Sequence, residues 1–427
     1  MKYVIMLLVT ALSVKALAIN PVAVGAGISD PHIRVFNDTV YLYSGHDNTP
    51  DDKTWVMKDW RIFSTTDLCN WEHVGTISPK DNFMGEKSKD CWAGDAAERN
   101  GKYYFYFSDR IRGIGVMQSD RPEGGFKDVL GDYLVAPDHD PTIFVDDDDT
   151  PYMIYGYKES SYKIVKLNED MISLAEEPKA IEINGEEWAD EPEWMDKNYL
   201  FKYDGKYYLS WGGEYAVSDN IYGPYECVGA VGEGYLLGNL AHGSFFNWKG
   251  QFYHIWCYYI RPNYRYRECI MTYCHMDDNG LVVTDTDFLD KHYEYGVGRY
   301  NASWDRIEAE WFYEKSDGLQ KVGTKERGFH LTNIKDGDFV RFSNVEFEQR
   351  YGHFSARVTN SKGGGILEVR KGSVDERVIG KIAIKESASS STFSCDIKSI
   401  SGLNDIYIVY KGAPDVGVEL DWISFSR

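Results

Sequence analysis

Apolar and aromatic positions in the first 300 residues repeat one phrase: an apolar strand, a tight turn of Asn, Asp or Gly residues, and an aromatic-rich strand. Its five copies read "IRVFNDTVYLYSG", "AAERNGKYYFYFS", "IFVDDDDTPYMIYG", "LFKYDGKYYLSWG" and "FFNWKGQFYHIWC". Such turns match the twist of a two-stranded hairpin. The copies recur every 45 to 63 residues or so, which is typical of propeller blades. The pattern predicts an all-β fold with a five-bladed β-propeller over residues 19–300, and an irregular β-sandwich is the alternative.

The pattern changes near Trp304. Short alternating strands separated by Gly turns follow, among them "RIEAEWF", "GHFSARVTN", "DIYIVYKG" and "ELDWISFSR". About 125 residues of this kind suit one β-sandwich. We therefore expect a β-sandwich (jelly-roll) module over residues 303–427.

The N-terminal segment has the pattern of a targeting signal. Lys2 precedes a short apolar run, and Ala16-Leu17-Ala18 fits the small-x-small cleavage rule. The sequence therefore predicts a signal peptide over residues 1–18 and an exported protein, periplasmic or extracellular. The apolar run is too short to span a bilayer, and no later stretch reaches that length, so we expect no membrane insertion.

Charge and composition narrow the class of ligand. The chain has 46 Lys and Arg against 67 Asp and Glu, a net charge of −21. Nucleic acid and anionic membrane surfaces demand a basic surface, so a neutral ligand is favoured. Aromatic residues make up 15% of the chain, with 32 Tyr and 12 Trp, and such side chains suit both strands and sugar-binding surfaces.

The pattern of cysteines indicates neither a metal site nor a catalytic nucleophile. Seven are present, so at least one stays unpaired in an exported protein, and no CxxC spacing occurs. We interpret them as core thiols, with one disulfide allowed, rather than as metal ligands or nucleophiles.

Three titratable residues recur at one position of the repeated phrase. Counting eight residues back from the second turn residue gives Asp30 in the first copy, Asp140 in the third and His242 in the fifth. The inner strands of a propeller start near its central channel, so the three side chains should face one axis. Each Asp precedes Pro, and a plain turn-forming role is the alternative. Several carboxylates around a neutral ligand suit glycoside hydrolysis, which needs a general acid and a base.

The motifs "SDPHIRVFNDTVYLY", "STTDLCNW", "CWAGDAAERNGKYYFYFS", "HDPTIFVDDDDTPYMIYG" and "AHGSFFNWKGQFYHIW" together resemble glycoside hydrolase family 43. That resemblance implies a five-bladed propeller that inverts at arabinofuranosides or xylosides. It assigns Asp30 as general base and Asp140 as the carboxylate that tunes the pKa of the acid. It makes His242 a channel residue that helps to hold a central calcium or water. It also places a substrate-contacting arginine at Arg267 or Arg265.

The general acid departs from the family pattern, which has Glu-Gly-Pro with a Lys six residues after the Glu. Lys202 fits the lysine, so the spacing points to Asp196, while Glu193 and Glu191 lie just upstream. We rank Glu193 first, because a neighbouring Trp194 would help it to keep its proton, then Asp196, then Glu191. An inactive family member is the alternative. Trp92 and Trp194 are the candidate substrate-binding aromatics.

The C-terminal region resembles family 6 carbohydrate-binding modules. By that resemblance Glu308, Glu310 and Asp421 form a structural calcium site, since calcium prefers hard oxygen ligands; surface charge is the alternative. The sugar site departs from the pattern: Glu419 stands where many modules have Asn, and Phe393 is the only aromatic nearby. A structural role is as well supported as glycan binding.

The function expected from these observations is a secreted inverting α-L-arabinofuranosidase acting on side chains of plant cell-wall polysaccharides. It would be a monomer with structural calcium and no cofactor for catalysis. The alternatives are a β-xylosidase, an endo-xylanase or arabinanase, a galactosidase, and a glycan-binding propeller without turnover, because loops between blades set the pocket shape.

Overall fold

The structure is a computed structural model that describes residues 20–49, 53–156, 162–185, 196–211, 213–231, 242–260, 263–360, 364–413 and 416–427. The predicted signal peptide lies outside these ranges. Within them, no helix has the length and apolar character needed to cross a membrane.

The described part of the N-terminal region contains five antiparallel sheets, which we call blades 1 to 5 in chain order. Blade 1 contains β1 (Ile28–Phe36), β2 (Thr39–Asp47), β3 (Met57–Thr65) and β4 (Glu72–Ile77). Blade 2 contains β5 (Cys91–Arg99), β6 (Lys102–Asp109), β7 (Ile114–Ser119) and β8 (Lys127–Asp128). Blade 3 contains β9 (Thr142–Val145), β10 (Pro151–Tyr155), β11 (Lys163–Lys166) and β12 (Lys179–Ala180).

Blade 4 contains β14 (Asn198–Tyr203), β15 (Lys206–Trp211), β16 (Glu214–Ser218) and β17 (Tyr225–Ala230), with β13 (Ile183–Asn184) added in parallel to β17. Blade 5 contains β18 (Gly243–Trp248), β19 (Gln251–Ile260), β20 (Asn263–Met276) and β21 (Val282–Thr284). Each repeated phrase of the sequence forms the first hairpin of its blade. The predicted five-bladed propeller is therefore confirmed.

The aromatic residues explain how the blades hold together. Trp60 of blade 1 packs against Phe105 and Phe107 of blade 2, with ring centroids 5.4 Å away in both cases. Trp211 and Trp256 are likewise almost completely buried. Large aromatic side chains bury much apolar surface each, so they fill the spaces between neighbouring blades. Much of the aromatic content thus serves packing rather than ligand binding.

The C-terminal module is a β-rich sheet consistent with a sandwich. Its strands are β22 (Tyr300–Asn301), β23 (Ile307–Glu308), β24 (Glu314–Lys315), β25 (Gln320–Thr324), β26 (Gly328–Ile334), β27 (Phe339–Asn360), β28 (Ile366–Lys371), β29 (Val378–Ala383), β30 (Ser387–Lys411) and β31 (Val418–Ser426). The main path runs in the order β25-β26-β31-β27-β30-β28-β29. The domain boundary between residues 300 and 303 stays a prediction.

The propeller and the module share an apolar core. It joins Ile33 and Ile255 of blades 1 and 5 to Trp311 and Phe342 of the module. Helix α1 (Thr286–His292) lies between blade 5 and the module, and 3₁₀ turns occupy Pro79–Asp81 and Ala309–Trp311. The shared core fixes the module on blades 1 and 5.

The cysteines agree with the sequence interpretation. All seven lie among the described residues, and none of them is bonded to another. Burial raises the pKa of the Cys257 and Cys274 thiols to about 12, so these thiols stay protonated and unreactive.

Candidate active site

The three residues found by counting share a backbone conformation. Asp30, Asp140 and His242 have φ values of 51°, 58° and 52°, in the left-handed region that non-glycine residues seldom adopt. Asp30 lies within β1, at the irregularity between Ser29 and His32, whereas Asp140 and His242 stand just before β9 and β18. Local strain of this kind persists only where the surrounding structure enforces it, and it is concentrated at functional sites. The repeated position predicted from the sequence is therefore one structural position.

These residues line one cavity of about 210 Å³. Its walls also include three other predicted site residues, Trp92, Asp196 and Arg267. The full lining is Asp30, Trp55, Met57, Trp92, Ala93, Ile111, His139, Asp140, Asp196, His242 and Arg267. Glu193, Glu191 and Trp194 lie outside the described residues.

His242 lies between two carboxylates. Its Nδ1 is 3.0 Å from Asp30 Oδ1, and its Nε2 is 2.9 Å from Asp196 Oδ2. Burial disfavours the charged imidazolium, but Asp196 and Asp30 outweigh burial and raise the pKa of His242 to about 9. His242 is therefore protonated at neutral pH and is a positive centre between the two aspartates.

The remaining carboxylates of the cavity differ in their preferred charge state. Burial raises the pKa of Asp140 above its ordinary value. Burial also acts against the charged form of Asp196, but the adjacent His242 outweighs it, so the pKa of Asp196 lies below its ordinary value. Asp140 is thus the carboxyl that more readily holds a proton, while Asp196 favours the carboxylate.

Arg267 fixes the predicted base. Its Nη1 and Nη2 atoms donate to Asp30 at 2.6 and 3.3 Å. The backbone N–H, Nε and Nη2 of Arg267 donate to Asp47 at 2.8, 2.9 and 3.0 Å. All three residues are nearly inaccessible to solvent. The orientation of the buried Asp30 side chain therefore depends on Arg267 and, through it, on Asp47.

Sequence reasoning missed Asp47 and Trp55. Asp47 is the last residue of β2, the strand that pairs with the Asp30 strand. A carboxylate at the end of that strand is the sequence signal that would have identified it. The ring of Trp55 lies 4.3 Å from the guanidinium carbon of Arg267 and 4.6 Å from that of Arg265. Arg267 lines the cavity, whereas Arg265 stacks on Trp55 and does not itself line the cavity.

Blades 2 and 4 place other residues at the repeated position. The same count of eight gives Ala93 in blade 2 and Lys197 in blade 4. Lys197 is buried and donates to the Pro141 carbonyl at 2.6 Å. In blade 4 the preceding residue, Asp196, reaches the cavity instead.

One group of residues in the described part of the chain has the arrangement of a metal site. Ligand atoms of Asp140, Asp196 and His242 lie within 4.8 Å of one another. This acidic cluster could hold a metal ion, since carboxylate and imidazole are common ligands. The ion would require neutral His242, because an imidazolium has no lone pair to offer.

The predicted calcium residues of the module line a second cavity, of about 460 Å³. Burial raises the pKa of Glu308 to about 7 and that of Glu310 well above its ordinary value. Among the described residues, Glu310 Oε2 is buried without a hydrogen-bond partner, which fits a hard cation. Asp421 instead pairs with Arg357 at 3.1 Å. Glu308 likewise pairs with Arg306, so Glu310 is the residue that fits the ion best.

Comparisons with known proteins agree with this geometry. The model of glycosyl hydrolases family 43 matches residues 19–282, and that of the family 6 carbohydrate binding module matches residues 308–427. An arabinoxylan arabinofuranohydrolase of Paenibacillus polymyxa is 25% identical over 460 residues, covering 90% of this chain and 70% of that protein. A xylosidase/arabinosidase of Bacteroides ovatus is 28% identical over 284 residues, covering 54% and 85%.

Solved structures share the fold. A family 43 arabinoxylan arabinofuranohydrolase from Bacillus subtilis, in complex with cellotetraose, superposes with a TM-score of 0.53 at 22% identity. The match covers 94% of this chain and 96% of that one, so it includes both the propeller and the module. The resemblance recognised in the sequence is confirmed. The chain belongs to glycosyl hydrolase family 43, with a family 6 carbohydrate binding module after the propeller, and is a glycosidase.

Proposed function

We propose that this protein is a secreted, inverting α-L-arabinofuranosidase that removes single arabinofuranosyl residues from plant arabinoxylan. The observation that carries this proposal is the cavity of about 210 Å³ around Asp30, Asp140 and Asp196. It is smaller than typical ligand pockets of roughly 300–1,000 Å³, which favours one terminal sugar over a chain segment. The arabinofuranohydrolase relatives support the choice of sugar.

The mechanism follows from the placement of the groups in the site. Asp30, oriented by Arg267, removes a proton from a water molecule, which attacks the anomeric carbon. A carboxylic acid on the opposite face protonates the glycosidic oxygen as the bond to the leaving alcohol breaks. The configuration inverts in a single displacement. We assign Asp140 the role of raising the pKa of the acid by like-charge repulsion when Asp140 itself is ionised.

For the acid we retain the order Glu193, Asp196, Glu191. The pairing of Asp196 with His242 at 2.9 Å favours the carboxylate, which makes Asp196 a poorer proton donor. Glu193 therefore stays first.

The proposal extends to export and to calcium. Residues 1–18 act as the signal peptide, and the protein works as a monomer outside the cytoplasm. Calcium bound by Glu308 and Glu310 would neutralise two buried carboxylates and stabilise the junction of module and propeller.

β-Xylosidase activity is the second candidate, favoured by relatives named xylosidase/arabinosidase. A screen on aryl arabinofuranoside, xyloside and galactoside separates the candidates. We expect arabinofuranoside to be cleaved fastest. Cleavage of xyloside alone would replace the proposal with the β-xylosidase.

The same screen tests the base. Asp30→Asn should lower the rate by about 10²–10⁴ with little change in fold. Asp38→Asn, at the exposed turn of the same hairpin, is the matched control and should leave the rate unchanged. Full activity of Asp30→Asn would exclude Asp30 as the base.

The acid is tested by replacing each candidate with its amide and comparing two substrates. A natural linkage needs protonation of its leaving group, whereas an activated aryl glycoside hardly does. The true acid should lose much more activity on the natural linkage, and Asp140→Asn should behave similarly in part. If none of the variants separates the two substrates, the acid lies elsewhere.

A further inference from the structure

A groove lies on blade 2, next to the wall of the catalytic cavity. It has a volume of about 560 Å³. We call it the blade 2 groove. Its lining is Phe83, Met84, Lys87, Ser88, Lys89, Asp90, Asp109, Arg112 and Tyr133.

The blade 2 groove adjoins the catalytic cavity across a short ridge. Ile111, half exposed, lines the cavity, and the next residue, Arg112, lines the groove. Arg110 bridges the same ridge: its guanidinium lies 5.3 Å from the ring of Trp92 in the cavity wall and 3.8 Å from Asp90 in the groove. A glycan whose terminal sugar enters the cavity would therefore extend over the ridge into the groove.

The groove has an aromatic wall. Phe83 and Tyr133 are half-buried and meet edge to face, with ring centroids 4.8 Å apart. The Tyr133 hydroxyl donates to Asp109 at 2.7 Å, which fixes the orientation of its ring. Fixed aromatic rings beside polar groups are suited to sugar rings, which have apolar faces and hydroxyl edges.

The charges of the groove are unusual for this molecule. Its two carboxylates, Asp90 and Asp109, are balanced by two arginines, since Arg112 pairs with both and Arg110 lies 3.8 Å from Asp90. Lys87 and Lys89 are exposed, and within the described residues neither ammonium group has a carboxylate partner. The groove therefore presents two uncompensated positive charges in a chain whose net charge is −21.

We propose that the blade 2 groove binds the part of the polysaccharide next to the released sugar at a sugar acid, with the uronate carboxylate at Lys87 and Lys89. This inference rests on the proposed function and deepens it: the substrate is a glycan that carries uronate close to the sugar released. The net charge of the chain favours a neutral glycan, but the local field of the groove favours an anionic group at this one place. A uronate carries an anionic carboxylate on a sugar ring, and the apolar face of that ring suits the aromatic wall.

The test compares an arabinoxylan oligosaccharide that bears a glucuronate beside the arabinosylated residue with the same oligosaccharide after reduction of its carboxyl group. The wild-type protein should have the higher kcat/KM on the acidic form, and the advantage should shrink as salt is added. Lys87→Gln/Lys89→Gln should lose about 3- to 30-fold on the acidic form, as expected for two exposed ion pairs. Its activity on the reduced form and on the aryl arabinofuranoside should stay the same.

The matched control is Lys102→Gln/Lys206→Gln, which removes two half-exposed lysines located directly after the hairpin turns of blades 2 and 4. It should not separate the two oligosaccharides. Equal losses on both forms in the groove variant, or no preference of the wild type for the acidic form, would overturn the proposal.

Binding to the Asp30→Asn variant keeps this test separate from the proposed activity. If the wild type cleaves no arabinofuranoside, the proposed function fails. Calorimetry with the two oligosaccharides still decides whether the groove prefers the uronate. A preference that Lys87→Gln/Lys89→Gln abolishes supports the groove, and equal affinity for both forms refutes it.

Discussion

The substitution Asp47→Asn should weaken the contacts with Arg267 that orient Asp30, the proposed base. Asp47 is 1% exposed and accepts three hydrogen bonds from Arg267, and Ser29 Oγ lies 3.3 Å away. An amide of the same shape retains one oxygen. If that oxygen takes the place of Oδ2, it keeps the bonds from the backbone N–H and Nε of Arg267. The amide nitrogen then faces the Nη2 donor.

The magnitude follows from this count. Breaking a buried ion pair costs about 3–5 kcal/mol. Two of three contacts survive, and Asp30 still neutralises Arg267, so we expect the free energy of unfolding to fall by about 2–4 kcal/mol. Because Arg267 also orients Asp30, kcat should fall by about 10², the cost of a displacement near 1 Å in a catalytic group. KM should change much less.

Urea unfolding and steady-state kinetics on an aryl arabinofuranoside measure the two effects. Asp120→Asn is the control, since Asp120 pairs with Lys102 at the surface with 82% of its side chain exposed. Such a pair is worth about 0.2–1 kcal/mol, so that variant should be close to wild type. If Asp47→Asn loses stability but keeps kcat, Asp47 has a structural role only. If both quantities are unchanged, the reasoning about the Arg267 contacts is wrong.

Three further predictions concern the reaction and the junction. Proton NMR of the first product should show inverted configuration at the anomeric carbon, and retention would exclude the single-displacement mechanism. Burial lowers the pKa of Lys321 to about 8, so between pH 8 and roughly 10.4 the unfolded chain binds a proton that the folded chain does not. The free energy of unfolding should therefore rise by up to about 3 kcal/mol over that range in wild type relative to Lys321→Met, and parallel pH profiles would contradict this. Calcium should raise the Tm of wild type but not of Glu310→Gln, and an equal rise in both would place the ion elsewhere.

The fold was predictable because each inner hairpin repeats a local pattern. The local sequence determines the turn of each hairpin, so counting a fixed number of residues back from the turn identified Asp30, Asp140 and His242. These residues share one backbone conformation and one cavity in the structure. The count worked because blades 1, 3 and 5 have the same number of residues between the turn and the cavity, although their assigned inner strands differ in length.

Contacts between distant segments were not predictable in this way. Arg267 and Asp47 are 220 residues apart in the chain, and their pairing depends on the closure of blade 5 against blade 1. The parallel strand β13 at the edge of blade 4 has no sequence signal, since it contains two residues, Ile183 and Asn184. Such features follow from tertiary packing rather than from local pattern.

In blade 4, the ion pair of Asp196 indicates a role that its spacing from Lys202 in the sequence leaves open. The position six residues before Lys202 is Asp196, where the family pattern has its acid. In the structure Lys202 binds Asp146 at 2.6 Å, whereas Asp196 binds His242 at 2.9 Å. A carboxylate that balances an imidazolium gives up its proton readily and regains it poorly, so Asp196 is better suited to orient His242 than to protonate a leaving group. This division of roles supports Glu193 as the proton donor, and it requires that replacing Asp196 by Asn affect activated and natural substrates alike.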